Sequence, residues 1–455
     1  MAGIGFEIRK ILKEKTIFSV IKAFSYAGVV SSGPWIISMI SIFIAGYIAN
    51  NIFHYSRGVV EFTIMVTYLI AFSLIFSGFF QLSFTRYVSD LIFMGKKNEV
   101  LSNTIGVIIF NLVTGFIFIL PFTISLFEAT KSFLTAFSFL NTFLVLDVLW
   151  IVNVVLTGLK RYKYITYSFL FSYLLMVVLI YFLGDRGIEF FIFSFFIGQA
   201  VLLFLLMGLL FYEFDSDKLV RFDFLKTKYK DLIIIGFLLN LSIWIDKFLF
   251  WFNPSTSEKV AGFLRYSPIY DYPIFLAYLS IAPAMAMFLL RIETDFALYY
   301  DKYFSAAREG GTLKELYLYA NDMKDAARVG LAEILRVQLS FLAILVMFDK
   351  PIFKFFKIPL VYIPLFMIDL VGTTLQVFFM AILTILFYLD KRRDVMKLVI
   401  LLFVANFFFT IITQMLGPYF YGYGSALAYF LVSLLGLFYL NKAMKRLHYE
   451  TFMLL

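Results

Sequence analysis

The sequence predicts an all-α polytopic membrane protein, with about 12 transmembrane helices in two six-helix lobes and both termini on the cytoplasmic side. Three observations predict it. Apolar and aromatic residues make up 62% of the chain and charged ones only 15%, whereas a soluble domain is nearer half apolar and a quarter charged. The mean hydropathy is +0.90. The apolar residues also gather into runs of the roughly 20 residues that a helix needs to cross about 30 Å of hydrocarbon. Short alternating segments of the outer-membrane barrel type are not seen.

Composition narrows the chemistry as well. With 0 Cys there is no disulfide framework, thiolate metal site or cysteine nucleophile. The 2 histidines, His54 and His448, stand at opposite ends of the chain, so one chain builds no multi-histidine metal site. The sequence therefore calls for no metal and no cofactor. The net charge of +9 points to basic cytoplasmic loops rather than to nucleic acid.

Taken in order, residues 1–22 place Ile4, Ile8, Ile11 and Leu12 at helical spacing among Glu7, Arg9, Lys10, Lys13 and Glu14, an interfacial amphipathic helix rather than a cleaved signal. The N-terminal lobe, 23–212, holds spans at about 24–49, 60–82, 104–127, 132–157, 164–183 and 188–212. A charge-rich stretch, 213–231, is the cytoplasmic connector. The C-terminal lobe, 232–441, holds spans at about 232–252, 269–290, 331–348, 361–388, 395–416 and 425–441, and 442–455 form a cytoplasmic tail. With the N-terminus inside, cytoplasmic segments collect 29 of the 39 basic residues and outer loops 8, a positive-inside bias that also requires an even number of spans. The loop with Lys350, Lys354 and Lys357 runs against it. Two lobes of six spans enter the membrane with the same orientation, a pattern found in transporters.

The insert 291–330 carries six basic and seven acidic residues, and Gly310-Gly311 divides it into two helical pieces. The second piece gathers Leu313, Leu316, Tyr317, Ala320 and Ala327 largely on one face. It packs either on its own lobe or, through Tyr299, Tyr300, Tyr303 and Tyr319, against a cytoplasmic partner.

No GxxxxGK[ST], HExxH or GxSxG motif occurs, so nothing points to ATP-driven transport or hydrolysis, and the chain is read as not an enzyme. The informative residues are ionisable groups inside spans, which are costly there and tend to face a bundle interior or an aqueous cavity. Asp147 is mid-span, with Asn141 and Asn153 on the same helix. Asp246 adjoins Lys247, but neighbours diverge by about 100° on a helix, so a salt bridge is not automatic and Lys247 could snorkel outward. Asp369 precedes Gly372, Thr373, Thr374 and Gln376. Glu61 and Asp271 lie near outer span ends. If the lobes correspond, Asp147 matches Asp369, Glu61 matches Asp271, and both lobes offer acids to a shared cleft. Arg336 and Glu333 read as a near-interface pair. Gly33-Pro34 breaks the first span's hydrogen bonding, as a static kink or a hinge, and Pro273 and Pro283 are the bending points of the eighth span. Tyr419, Phe420, Tyr421 and Tyr423, in an outer loop, could stack on sugars or belong to an aromatic belt.

The opening MAGIGFEIRKILKE (Met1 through Lys10 within it) and AGVVSSGPWIIS (Ala27 through Ser38) closely resemble the start of the PelG family, inner-membrane exporter components of Pel exopolysaccharide systems and distant members of the multidrug/oligosaccharidyl-lipid/polysaccharide flippase superfamily. The resemblance implies translocation of a nascent exopolysaccharide across the cytoplasmic membrane, with a cytoplasmic glycosyltransferase (PelF-like) and membrane scaffold or cyclic-di-GMP sensor proteins as partners. It supplies no site residues. The competing readings are a lipid-linked oligosaccharide flippase or cation-coupled antiporter, and a non-conducting scaffold for the synthase.

Overall fold

The computed structural model describes residues 16–157 and 162–453. The amphipathic pattern around Ile4–Leu12 and the Met1–Lys10 resemblance lie outside the described residues. Among the described ones, eleven helices are long and apolar enough to cross a membrane, and α1, Ile17–Asn51, is a further 35-residue helix of apolar sequence. The expected all-α membrane architecture of about twelve spans is what the fold presents.

The helices follow the apolar runs. They are α2 Ser56–Phe93, α3 Val100–Thr130, α4 Phe133–Thr157, α5 Tyr162–Leu183, α6 Glu189–Glu213 and α7 Lys230–Phe252. A hairpin, β1 Glu258–Ala261 with β2 Leu264–Tyr266, then interrupts the helical series. The eighth span is split into α8 Pro268–Leu279 and α9 Ala282–Leu290. Pro283 opens α9, where its missing N–H costs no helical bond, so the break sits at Ser280-Ile281, while Pro273 is accommodated inside α8. A π-helical turn, Arg291–Phe296, leads into α10 Ala297–Glu309 and α11 Leu313–Met347. Gly310 ends α10 in the left-handed conformation (φ +77°) and Thr312 with Glu315 forms a capping box that starts α11. The remainder is α12 Asp349–Phe355, α13 Ile363–Tyr388, α14 Arg392–Leu416, α15 Tyr423–Lys445 and α16 Leu447–Met453.

The chain folds into two compact units. Of the described residues, unit 2 comprises those within Gly33–Trp244 and Phe250–Ser267; unit 1 comprises those up to Ser32, Ile245–Leu249 and those from Pro268 onward. In unit 2, α4 packs against α2, α3 and α6. Glycine lets backbones meet there: a Cβ on Gly236 would lie 2.3 Å from the Gly78 carbonyl oxygen, which brings α7 against α2. The stretch after α6 is laid across α3, because Arg221 N–H donates to the Ser102 carbonyl (3.0 Å) and Asp223 N–H to Asn103 Oδ1 (3.1 Å). Gly106 leaves room for it, since a Cβ would fall 1.9 Å from the Arg221 carbonyl oxygen.

In unit 1, α13, α14 and α15 form a tight group, with α8 and α11 against α13. Thr373 and Thr374 donate back to the Leu370 carbonyl (3.1 and 2.8 Å), satisfying their hydroxyls within the helix. Leu276, Ala277, Phe353, Phe366 and Leu370 make one apolar core beside them.

Candidate functional site

Two helices are more enclosed by protein than any other of the eleven candidate spans: 61% of the apolar window of α4 is buried and 72% of that of α13. These are the helices that carry Asp147 and Asp369. Each aspartate is 1% exposed, and neither carboxylate oxygen of either residue has a hydrogen-bond partner among the described residues. Polar groups buried to this degree are nearly always partnered, and leaving one unmade costs about 1–3 kcal/mol, more for a charge.

In unit 2 the walls around Asp147 are largely apolar. Gly115 on α3 lies opposite, and a Cβ there would sit 3.0 Å from Asp147 Oδ2, with the Phe143 and Phe76 rings at 3.4 and 3.5 Å. Phe76 in turn stacks on Phe118, centroids 5.1 Å apart. The polar group facing the carboxylate is the side chain of Asn111, one turn before Gly115; Asn111 is itself fully buried, and neither of its amide atoms has a hydrogen-bond partner among the described residues. Asn141, by contrast, spends its amide on the Phe137 carbonyl one turn back (2.8 Å), and Asn153 is half-buried farther along α4.

Unit 1 assembles a polar cluster from α7, α8, α13 and α15. Asp246 is 2% and Lys247 5% exposed. The Lys247 ammonium does not snorkel: it lies 3.2 Å from each Asp246 oxygen and 3.2 Å from Tyr278 Oη, and 5.1 Å from the centre of the Tyr278 ring. The neighbours therefore do form a salt bridge. Tyr270 Oη donates to Asp246 Oδ2 at 2.5 Å, and Tyr278 Oη donates to Gln376 Oε1 on α13 at 3.1 Å. Asp369 lies two turns from Gln376 on the same face of α13. It is shielded by the turn before α15, where Gly422 is left-handed (φ +84°) and a Cβ would fall 2.9 Å from Asp369 Oδ1 and 2.7 Å from Leu365 Cδ1. The fold thus brings Asp246 together with the surroundings of Asp369 in unit 1, while Asp147 has its own setting in unit 2.

The remaining predicted residues fall into place less centrally. Glu61 is half-buried near the start of α2, and Asp271 is half-buried in the first turn of α8, where an acid complements the helix dipole. Gly33 and Pro34 lie inside continuous α1, at the point where the chain passes from unit 1 to unit 2. Among the aromatics of the loop before α15, Tyr419 is open to the surroundings, whereas Tyr421 is buried.

Three expectations are corrected. Tyr303 is buried rather than exposed, because its hydroxyl bonds His448 Nδ1 (3.1 Å) and α16 covers it. On α11 the buried face is Leu316, Ala320, Met323 and Ala327, leaving Leu313 and Tyr317 outside. Glu333 pairs with Arg291 across the π-helical turn and not with Arg336, whose side chain points out. Sequence reading also missed Asn111, Gly115, Tyr270, Tyr278 and Gly422. An asparagine four residues before a glycine in an apolar run was the available signal for the first two.

Against known proteins, the family model of PelG, described as "Putative exopolysaccharide Exporter (EPS-E)", matches residues 1–452. No curated protein matches the sequence. Among solved structures, an outward-facing multidrug-resistance MATE-family transporter of the MOP superfamily superposes with a TM-score of 0.67 at 16% identity, covering 93% of this chain and 96% of that one. A MOP-superfamily transporter from Pyrococcus furiosus, whose binding pocket is described as of reversed polarity, gives 0.66 at 15% identity with the same coverage. An inward-facing MATE transporter gives 0.62 at 12% identity, covering 92% and 95%. At these identities the likeness establishes the fold.

Proposed function

The chain belongs to the PelG family, and on that premise we propose that it moves a nascent exopolysaccharide across the cytoplasmic membrane as a partner glycosyltransferase extends it. The family and the MATE-like fold make it a multi-pass membrane protein of polysaccharide transport. The cytoplasmic membrane, the inward-facing termini and the coupling to synthesis belong to the proposal, supported by the bias of basic residues toward one set of loops. The observation that carries the reading is the family match along nearly the whole chain.

The buried acids fit it. A carboxylate without partners inside a protein is held at a cost unless something supplies a donor, and hydroxyls and amides of a sugar, or water that accompanies them, are donors. Asp147 and Asp369 are the candidates to gain such partners when the helices rearrange, with Asn141, Asn153, Asp246, Glu61 and Asp271 as further acceptors. Gly33-Pro34 suits a hinge, because proline removes one helical hydrogen bond at the point where the chain changes unit. The outward-turned Leu313, Tyr317 and Leu318 of α11 suit docking of the glycosyltransferase or of a cyclic-di-GMP-sensing scaffold protein.

Deleting the gene tests the proposal. Surface polymer should disappear while glycosyltransferase activity persists in lysates; secretion that continues unchanged refutes export by this chain. Loss of polymer with Asp147→Asn and Asp369→Asn separates transport from a scaffold role, which lesions in α10 and α11 alone would abolish. Transport of a lipid-linked oligosaccharide remains the second reading within the same fold, and accumulation of a lipid-bound intermediate in the deletion strain would favour it.

A further inference from the structure

Building on the export reading, we propose that Lys247 is a resident exchangeable cation, held on Asp246 in this conformation and passed to Asp369 during transport. A buried lysine with a long flexible stem usually escapes toward an interface. This one is instead retained inside unit 1 by groups from two helices, the Asp246 carboxylate of α7 and the Tyr278 hydroxyl and ring of α8.

The contacts are unequal in a way that permits exchange. The ammonium stands 3.2 Å from all three oxygens, longer than the about 2.7–2.9 Å of a tight charge-assisted hydrogen bond. Asp246 has a closer donor in Tyr270, at 2.5 Å, so its carboxylate keeps a partner when the ammonium leaves. Among the described residues Asp369 has none on either oxygen, and the Lys247 and Asp246 charges both act on it. Tyr278 connects the two ends, touching Lys247 with its oxygen and Gln376 of α13 with its proton. Gly422 completes the receiving position: any side chain there would press on Asp369 Oδ1. Among the described residues one carboxylate is thus doubly served and the other has no hydrogen-bond partner, while the Lys247 charge acts on both. A charge tied to the chain can then time the rearrangement of unit 1 without leaving the protein.

The test uses the full chain expressed in cells that lack their own copy, with surface polymer and the melting temperature of the purified protein as separate readouts. The double variant Lys247→Met/Asp246→Asn removes the bridge as a neutral pair, and Asp369→Asn removes the receiving carboxylate. Both should keep a melting temperature near that of the parent and lose export to the level of cells without the gene. Wild-type export by either variant overturns the exchange and leaves a static bridge. Should the double variant fail to fold, wild-type export by Asp369→Asn still overturns the exchange. Polymer secreted by cells without the gene would instead refute the export reading, whatever the variants do.

Discussion

Unit 1 and unit 2 each bury, on a helix enclosed by protein, an aspartate whose carboxylate has no hydrogen-bond partner among the described residues, yet their settings differ. Asp147 in unit 2 faces phenylalanine rings, a glycine and one unpartnered asparagine. Asp369 in unit 1 shares its neighbourhood with a lysine, a second aspartate and two tyrosines. The contrast teaches that equal burial of the same side chain does not mean equal dependence on it. Unit 1 contains a charge pair whose members rely on each other, whereas Asp147 in unit 2 has no oppositely charged partner among the described residues.

The comparison is broken most directly by making the same change in both units. Asp246→Asn strands the Lys247 ammonium and should cost about 3–5 kcal/mol, the loss typical of removing one member of a buried pair. Asp147→Asn removes an unpartnered acid and should leave thermal stability unchanged or higher. Thermal unfolding of the purified variants checks both; comparable losses would erase the distinction. Tyr270→Phe sharpens it next, because the hydroxyl donates to a charged group, and roughly 1.5–3 kcal/mol should be lost in the same assay.

The glycines beside the two acids come third. Gly422→Ala meets a left-handed backbone as well as Leu365 and Asp369, and should cost about 1–3 kcal/mol. Gly115→Ala meets Asp147 and ring edges at 3.0 Å and beyond in an ordinary helix, and should cost less. Equal melting temperatures for the two variants would count against the cost assigned to the left-handed backbone and close contacts at Gly422.

The smallest effect concerns the edge of unit 1. Burial and the nearby Lys324 ammonium push the His448 imidazole below its ordinary range. A histidine held below its unfolded value favours the folded state fully above a pH of about 6.5 and loses that contribution as pH falls through the depressed value. Protection of the α16 amides, corrected for the intrinsic pH dependence of exchange, should therefore fall on acidification while that of α4 in unit 2 does not. Unchanged protection in α16 would show that its packing on Tyr303 ignores the charge.

Much of this was legible in the chain. Asp147 and Asp369 stand out because a carboxylate in the middle of an apolar run is rare, and the runs themselves fix most helices to within a turn or so. The pairing of Lys247 stayed open for a physical reason: adjacency on one helix suggests divergence, but Tyr278 from another helix holds the ammonium where its own stem can reach Asp246. Tyr303 looked exposed because a tyrosine in a charged segment is normally solvated, and only the docking of α16 covers it. Gly422 reads as an ordinary turn residue until the chain returns to place it against Asp369.

Membrane residence, the helical class and the positions of the lone acids follow from composition and periodicity, since hydrocarbon thickness and the cost of burying charge act on any chain locally, before it folds. Which acid keeps a cation and which is left without a partner depends on helices far apart in sequence arriving side by side. That pairing is a matter of distance in space, and only the folded arrangement sets it.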